Sequence, residues 1–211
     1  MSNPVPTLFF APKSCAIASL GALEAVGAPF SAAPVTMAPD GAGDAPFRRL
    51  NPRRQVPVLE IDGRIVRETG AILQALDARH PEARLLPSGP SARIAALEWL
   101  GHLGGSVHPA FRLIFRPARF VGEDPQAQSA LRAATREELS RLFSGLANDL
   151  AERDWLLGEW SALDFYLFVF ERWAGLISLD VAPNLRAHHD RVAALPAMCR
   201  ALEREAAASA P

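Results

Sequence analysis

The stretch from Asn51 to Ile72, NPRRQVPVLEIDGRIVRETGAI, constrains the fold more than any other part of the chain. A β-branched run from Val56 to Ile61 stops at Asp62-Gly63, a dipeptide that tolerates two successive left-handed residues and so closes a two-residue hairpin. Arg64 to Arg67 supplies the returning strand. Glu68-Thr69-Gly70 then opens a helix over Ala71 to Ala78, with Ile72, Leu73 and Leu76 at helical spacing. Pro57 does not fit a plain hairpin, because its missing N–H breaks a ladder unless it lies on an edge or in a special turn. A cis Val56-Pro57 bond reconciles the two and turns the backbone of Val56 outward as an unpaired edge. An extended peptide can add to such an edge, and the neighbouring helix start favours a carboxylate. The stretch is suited to hold a small acidic peptide.

The motifs N-P-x-x-x-V-P-x-L (Asn51 to Leu59) and E-[ST]-x-A-I (Glu68 to Ile72) stand here together. The segment resembles the glutathione-binding half of the glutathione S-transferase family. That resemblance implies a thioredoxin-like α/β domain followed by an all-helical domain. It also implies glutathione as co-substrate, a small hydrophobic electrophile as second substrate, and a homodimer.

The 211 residues and a hydrophobic content of 49% allow a sizeable core and argue against disorder. A net charge of −1 without a basic block argues against nucleic acid or an anionic membrane as main partner. Cys15 and Cys199 lie far apart and point to a reducing compartment, so a cytoplasmic protein is expected. The N-terminus has no basic region or long apolar core, and so is not read as a signal peptide. The apolar window Phe165 to Leu179 is too short to span a bilayer and contains Glu171 and Arg172.

Thr7 to Phe10 reads as a strand, and Ser14 as the cap of a helix from Cys15 to Val26 closed by Gly27. Pro29 to Val35 has strand character, Ala38 to Asp44 reads as loop, and Asp44 to Leu50 as a short helix. The resulting β-α-β-α-β-β-α order predicts a mixed sheet with helices on both faces. His80-Pro81 ends the third helix, and the following proline-rich stretch reads as a linker. The expected division is thus 1–81 for the thioredoxin-like domain, 82–90 for the linker and 91–211 for the helical domain.

In the helical part, Ser91 is expected to cap a long helix through Trp99 and Leu103, with a kink or break at Pro109. Asp124-Pro125 starts another helix with Leu139, Leu142, Phe143, Leu146 and Leu150 in one stripe. Ser161 to Asp164 reads as a capping box heading an apolar helix, and the family carries such a box here. Asn184 to Ala194 and Pro196 to Ala206 close the chain.

The family's subclasses differ in the group that touches the glutathione sulfur. The only tyrosine, Tyr166, lies in the helical half, which leaves Ser14 or Cys15. FFAPKSCAIAS resembles the beta-class motif ending P-G-[AS]-C-S, which aligns Cys15 with that class's cysteine. The zeta class also carries serine then cysteine here, but with an arginine-rich continuation in place of Ala16-Ile17-Ala18. A helix N-terminus and Lys13, the single lysine of the chain, would favour a Cys15 thiolate. The alternative is a small buried hydrophobe.

EWLGHLGGSVHPAF resembles the beta-class E-W-L-x-F-L-x-x-x-V-H-K and aligns His108 with an active-site histidine. His102 reads as core or interface, His188-His189 as a solvated pair, and no metal-ligand spacing is seen. The resemblance implies that Val56, with Gln55 and Pro57 beside it, pairs with the cysteinyl unit. It gives Glu68 and Thr69 the γ-glutamyl end, and Arg53 the glycyl carboxylate. The electrophile is expected between the domains, against Phe111, Phe115 and Tyr166. Two other readings stay open, a glutathione-dependent thiol-disulfide oxidoreductase using Cys15 and a non-catalytic binding protein. The polar shell argues for the second, being thinned by Gly101, Ser106 and Pro109.

Overall fold

The structure is a computed structural model that describes residues 5–38 and 41–209. Its elements in order are β1 (Thr7–Phe10), α1 (Ala16–Val26), β2 (Ser31–Pro34), β3 (Met37–Ala38), β4 (Gly41–Ala42), α2 (Ala45–Leu50), β5 (Val58–Ile61), β6 (Arg64–Arg67) and α3 (Thr69–Arg79). Next come α4 (Pro90–His102), α5 (His108–Phe115), α6 (Ala118–Val121), α7 (Pro125–Leu150), α8 (Ala162–Leu176), α9 (Pro183–Ala193) and α10 (Pro196–Ala207). The chain divides into two compact units. One runs to Ser88 and takes back the segment from Val192 onward, and the other is Gly89–Arg191.

In the first unit the four-stranded sheet has the order β2-β1-β5-β6. β1 and β2 are parallel, while β1/β5 and β5/β6 are antiparallel. The register pairs Phe9 with Val58 and Val58 with Arg67, so all three share one face. Phe9 and Val58 pack there with Val35, Ala42, Phe47 and Leu50, the last two from α2. Leu8, Phe10, Leu59 and Ile61 alternate onto the opposite face, where α1 and α3 pack. Asp62 and Gly63 both take left-handed backbone (φ 51° and 70°), the geometry a two-residue hairpin needs.

Helix α1 has no solvent face until its last turn, since Ala16 through Glu24 are all buried. The reason is α10, which returns from the far end of the sequence and packs along α1. Glu24 receives Arg200 Nε at 2.7 Å and Arg204 Nε at 2.5 Å. Burial alone would raise the Glu24 carboxyl's pKa, but the two arginine hydrogen bonds outweigh it and hold the pKa below its usual value.

The structure departs from the sequence reading in several places. The ladder of β5 begins at Val58 rather than Val56, because Pro57 has no N–H to donate. The stretch read as loop contains a short antiparallel pair, Met37 with Ala42 and Ala38 with Gly41. Pro39 and Asp40 of that stretch lie outside the described residues. Two-residue strands leave no alternation to read. The pair is anchored by Ala42 N–H, which donates to Arg54 O at 2.8 Å, and Gly41 (φ 135°) lies so near Arg54 that a Cβ would meet it at 2.8 Å.

In the second unit, Gly89 rather than Ser91 is the N-cap of α4, and Pro90 occupies the first turn, where its missing N–H costs nothing. The chain does not break at Pro109. It passes from α4 through a π-helical turn, Leu103–Val107, into α5. A proline cannot donate one turn back, and a π turn absorbs that missing bond without ending the helix. Leu139, Leu142, Phe143, Leu146 and Leu150 of α7 are buried, and the capping box at the start of α8 is formed. Among the described residues no helix is long and apolar enough to cross a membrane.

His188 is not solvated. It is fully buried, with Nδ1 2.8 Å from Glu171 Oε1 and Nε2 3.1 Å from Asp164 Oδ1. Two carboxylates draw the ring inward that α9's polar sequence would leave outside. His189 does remain partly exposed, beside Asp190.

Candidate functional site

The turn before α1 carries Lys13, Ser14 and Cys15. Lys13 takes left-handed backbone (φ 62°), and its N–H donates to Glu205 Oε1 of α10 at 2.9 Å. Ser14 Oγ donates to Ala11 O at 2.6 Å and accepts from Ala16 N–H at 3.2 Å, so its side chain serves the helix start. Cys15 is the N-cap residue of α1, with about 5% of its surface exposed. Its thiol donates to the Val56 carbonyl at 3.5 Å.

Val56 is half-buried and joined to a buried Pro57 by a cis bond. The loop leading to it is held by Asn51, which is almost wholly buried. Asn51 Nδ2 donates to Gln55 O at 2.7 Å, and its Oδ1 accepts from Arg53 N–H at 3.3 Å. Arg54 inside this loop also takes a left-handed φ, 56°.

Glu68, at the N-cap of α3, is a third left-handed residue (φ 70°), and α3 starts with no side-chain cap. Thr69 behind it is buried. The exposed ends of Arg53 and Glu68 pair at 3.1 Å with side chains 63% and 66% exposed. Such a pair contributes only about 0–1 kcal/mol, so both ends can turn to a ligand at little cost. A non-glycine residue in this backbone region costs about 1–3 kcal/mol, and such residues gather at sites that need a fixed shape. Lys13, Arg54 and Glu68 are three of seven in the described chain, and all three adjoin the residues singled out above.

In the helical unit, His108 is packed against Phe170 and Trp173, with ring centroids 5.7 and 5.2 Å away. Burial, with a smaller effect from the Arg112 charge, lowers its pKa to about 4, so the ring is neutral at pH 7. Tyr166 Oη lies 3.5 Å from His108 Nδ1. Phe111 has no exposed surface and stacks on Phe115, which is 43% exposed, at 5.9 Å. Phe115 is thus the exposed ring of the pair, with Phe111 behind it. Half-buried His102 packs edge-on against Trp99. Cys199 is exposed and donates to Ala193 O at 3.3 Å. Among the described residues no group of three or more His, Cys, Asp or Glu side chains is placed to hold a metal.

Three residues that shape these sites escaped the sequence reading: Asn51 stood only as a motif letter, while Glu205 and Arg67 carried no local signal. Buried His188, outside these sites, did leave one signal. Asp164 and Glu171 are seven residues apart on an apolar helix, hence on one face, and two inward carboxylates need a cation.

Comparison with known proteins gives the same picture. Residues 14–79 match the family described as glutathione S-transferase, N-terminal domain. A glutathione S-transferase from Xanthomonas campestris is 29% identical over 177 residues, 83% of this chain and 85% of that one. A sphingomonad glutathione S-transferase complexed with glutathione is 32% identical with a TM-score of 0.84, over 95% of this chain and 98% of that one. The bacterial beta class enzyme of Sphingomonas chungbukensis is 31% identical with a TM-score of 0.81, over 94% and 98%. With the fold, both sequence motifs and these relatives in agreement, the chain belongs to the glutathione S-transferase family.

Proposed function

We propose that the protein is a beta-class-like glutathione transferase that binds glutathione along the Val56 edge and engages its sulfur at Cys15. The observation that carries this reading is the 3.5 Å approach of the Cys15 thiol to the Val56 carbonyl. A peptide that pairs its cysteinyl unit with Val56 brings its own sulfur to the start of α1. The Val56 carbonyl has two lone pairs, so it can accept the peptide's N–H with the Cys15 sulfur still beside it.

Gln55 and Pro57 flank this edge. Glu68 and Thr69 take the γ-glutamyl end, and Arg53 leaves Glu68 to take the glycyl carboxylate. Lys13 and the N-terminus of α1 favour the anionic sulfur, with Ser14 fixing the turn. Catalysis here is positioning of a thiolate toward an electrophile. The electrophile is small and hydrophobic, with Phe115 the exposed ring offered to it, Phe111 and buried Tyr166 packed behind, and neutral His108 the polar group beside them. Two copies of the chain assemble through α4, where Ile94 and Leu97 are 67% and 45% exposed. The compartment is the cytoplasm, in keeping with two free cysteines.

Thiol-disulfide exchange is the second reading, favoured by the same thiol at a helix N-cap. There the Cys15 thiolate attacks glutathione disulfide, forms a mixed disulfide and releases one glutathione thiolate. Calorimetric titration of glutathione into wild type and Cys15→Ala tests the proposal. Glutathione binding by both, with a mixed disulfide formed only by wild type when glutathione disulfide is supplied, supports it; no binding by wild type refutes it.

A further inference from the structure

We propose that Arg67 is a positioning residue for glutathione, setting the Val56 edge and the Glu68 helix start at the spacing the tripeptide needs. This rests on the glutathione reading above and names a residue that the reading does not use. Arg67 is the last residue of β6 and is covalently joined to Glu68. Its register partner is Val58, two residues after Val56, and its side chain lies on the sheet face covered by α2. From there its guanidinium reaches the end of α2. Nε donates to Asn51 Oδ1 at 3.0 Å, and a terminal nitrogen donates to Leu50 O at 2.8 Å.

Asn51 passes the constraint on. Its oxygen takes Arg67 together with the Arg53 N–H, and its nitrogen takes Gln55 O, one residue before Val56. Arg54 N–H completes the turn on Asn51 O at 2.9 Å. A short chain of hydrogen bonds thus joins the residue before Glu68 to the residue before Val56. Both flanks of the proposed peptide site hang on one guanidinium, whose planar fork suits two acceptors at once. Lysine carries the charge but offers no such fork. The strained φ of Glu68 and of Arg54 adjoin the two ends of this bridge, which is where fixed geometry is needed.

The test compares wild type, Arg67→Met and Arg67→Lys by calorimetry with glutathione, and by alkylation of Cys15 without it. Arg67→Met is expected to weaken glutathione binding about tenfold, roughly 1.4 kcal/mol, with Arg67→Lys in between. Cys15 labelling should stay within about twofold of wild type, which general loosening of the unit would not allow. Glu68→Gln should cost less affinity in the Arg67→Met background than alone, since Glu68 is already misplaced there. Additive losses, or glutathione binding by Arg67→Met within about twofold of wild type, would overturn the proposal. Should Arg67→Met fail to fold, Arg67→Lys decides by the same twofold criterion. Failure of wild type itself to bind glutathione would refute the underlying reading instead.

Discussion

Asp164 and His188 meet 3.1 Å apart with no exposed surface on either side chain, and they tie the start of α8 to α9. Asp164 does more than close its capping box. It accepts from Ser161 N–H at 2.8 Å, Ser161 Oγ at 3.2 Å, Leu156 N–H at 2.9 Å and His188. Loss of a cap alone costs about 0.5–2 kcal/mol, whereas breaking a buried charge pair costs about 3–5 kcal/mol. Asp164→Ala is therefore expected to fall in the upper range. Urea unfolding measures it, and a loss under about 1 kcal/mol would show that the pairing is not formed.

Two histidines of the helical unit, buried His188 and half-buried His108, shift in opposite directions. Burial works against the charge on His188, but hydrogen bonds and attraction from Asp164 and Glu171 prevail and raise its pKa to about 9. Glu171 is raised as well, by burial, although a charged partner beside it should lower it. Both nitrogens of His188 face carboxylate oxygens, which holds its proton. A histidine raised from 6.5 stabilises fully below pH 6.5 and loses that contribution as pH climbs toward 9. His108, lowered to about 4, does the reverse, and its contribution is lost as pH falls from 6.5.

Together these two groups place the stability maximum near pH 6.5, with slopes of up to about 1.4 kcal/mol per pH unit on each side. Unfolding free energy measured from pH 4 to pH 9.5 should show that dome. His188→Gln should flatten the alkaline side alone, and an unchanged alkaline slope would contradict the assignment.

Helix α10 is expected to be required by the first unit. Glu24→Ala removes the acceptor of Arg200 and Arg204, whose side chains are about half exposed and can be resolvated. The loss should therefore be about 1–3 kcal/mol, smaller than for Asp164. Because the Glu24 pKa is held low, its contribution is present above the usual carboxylate pKa and lost as pH falls below it. Thermal melts of Glu24→Ala and wild type at pH 7 and pH 3.5 check both points, with the gap expected to narrow in acid.

A homodimer through α4 predicts that Leu97→Glu shifts the sedimentation coefficient toward the monomer at micromolar concentration while far-ultraviolet dichroism is unchanged. A wild-type protein already monomeric there would remove the interface.

Legibility of the sequence followed the range of the forces. The β5–β6 hairpin, the helix start at Asp124 and the α7 stripe are local, set by residues within a turn or two, and they read directly. The β3–β4 pair was too short to leave a period, and the cap of α4 moved from Ser91 to Gly89 because Pro90 fits the first turn. Glu205 reaching Lys13, and His188 reaching Asp164, join parts of the chain that no local pattern connects. At the candidate site, Cys15, Val56 and Glu68 stood out through motif and backbone chemistry. Arg67 and Asn51, which hold them in place, look like ordinary strand and loop residues until the register is known.

The claim that Cys15 receives the glutathione sulfur is tested most directly by mass spectrometry of alkylated protein at neutral pH, with and without saturating glutathione. Cys15 is expected to label faster than exposed Cys199 despite its burial, with glutathione suppressing labelling at Cys15 alone. Slow labelling of Cys15 that is equal in both samples would contradict it.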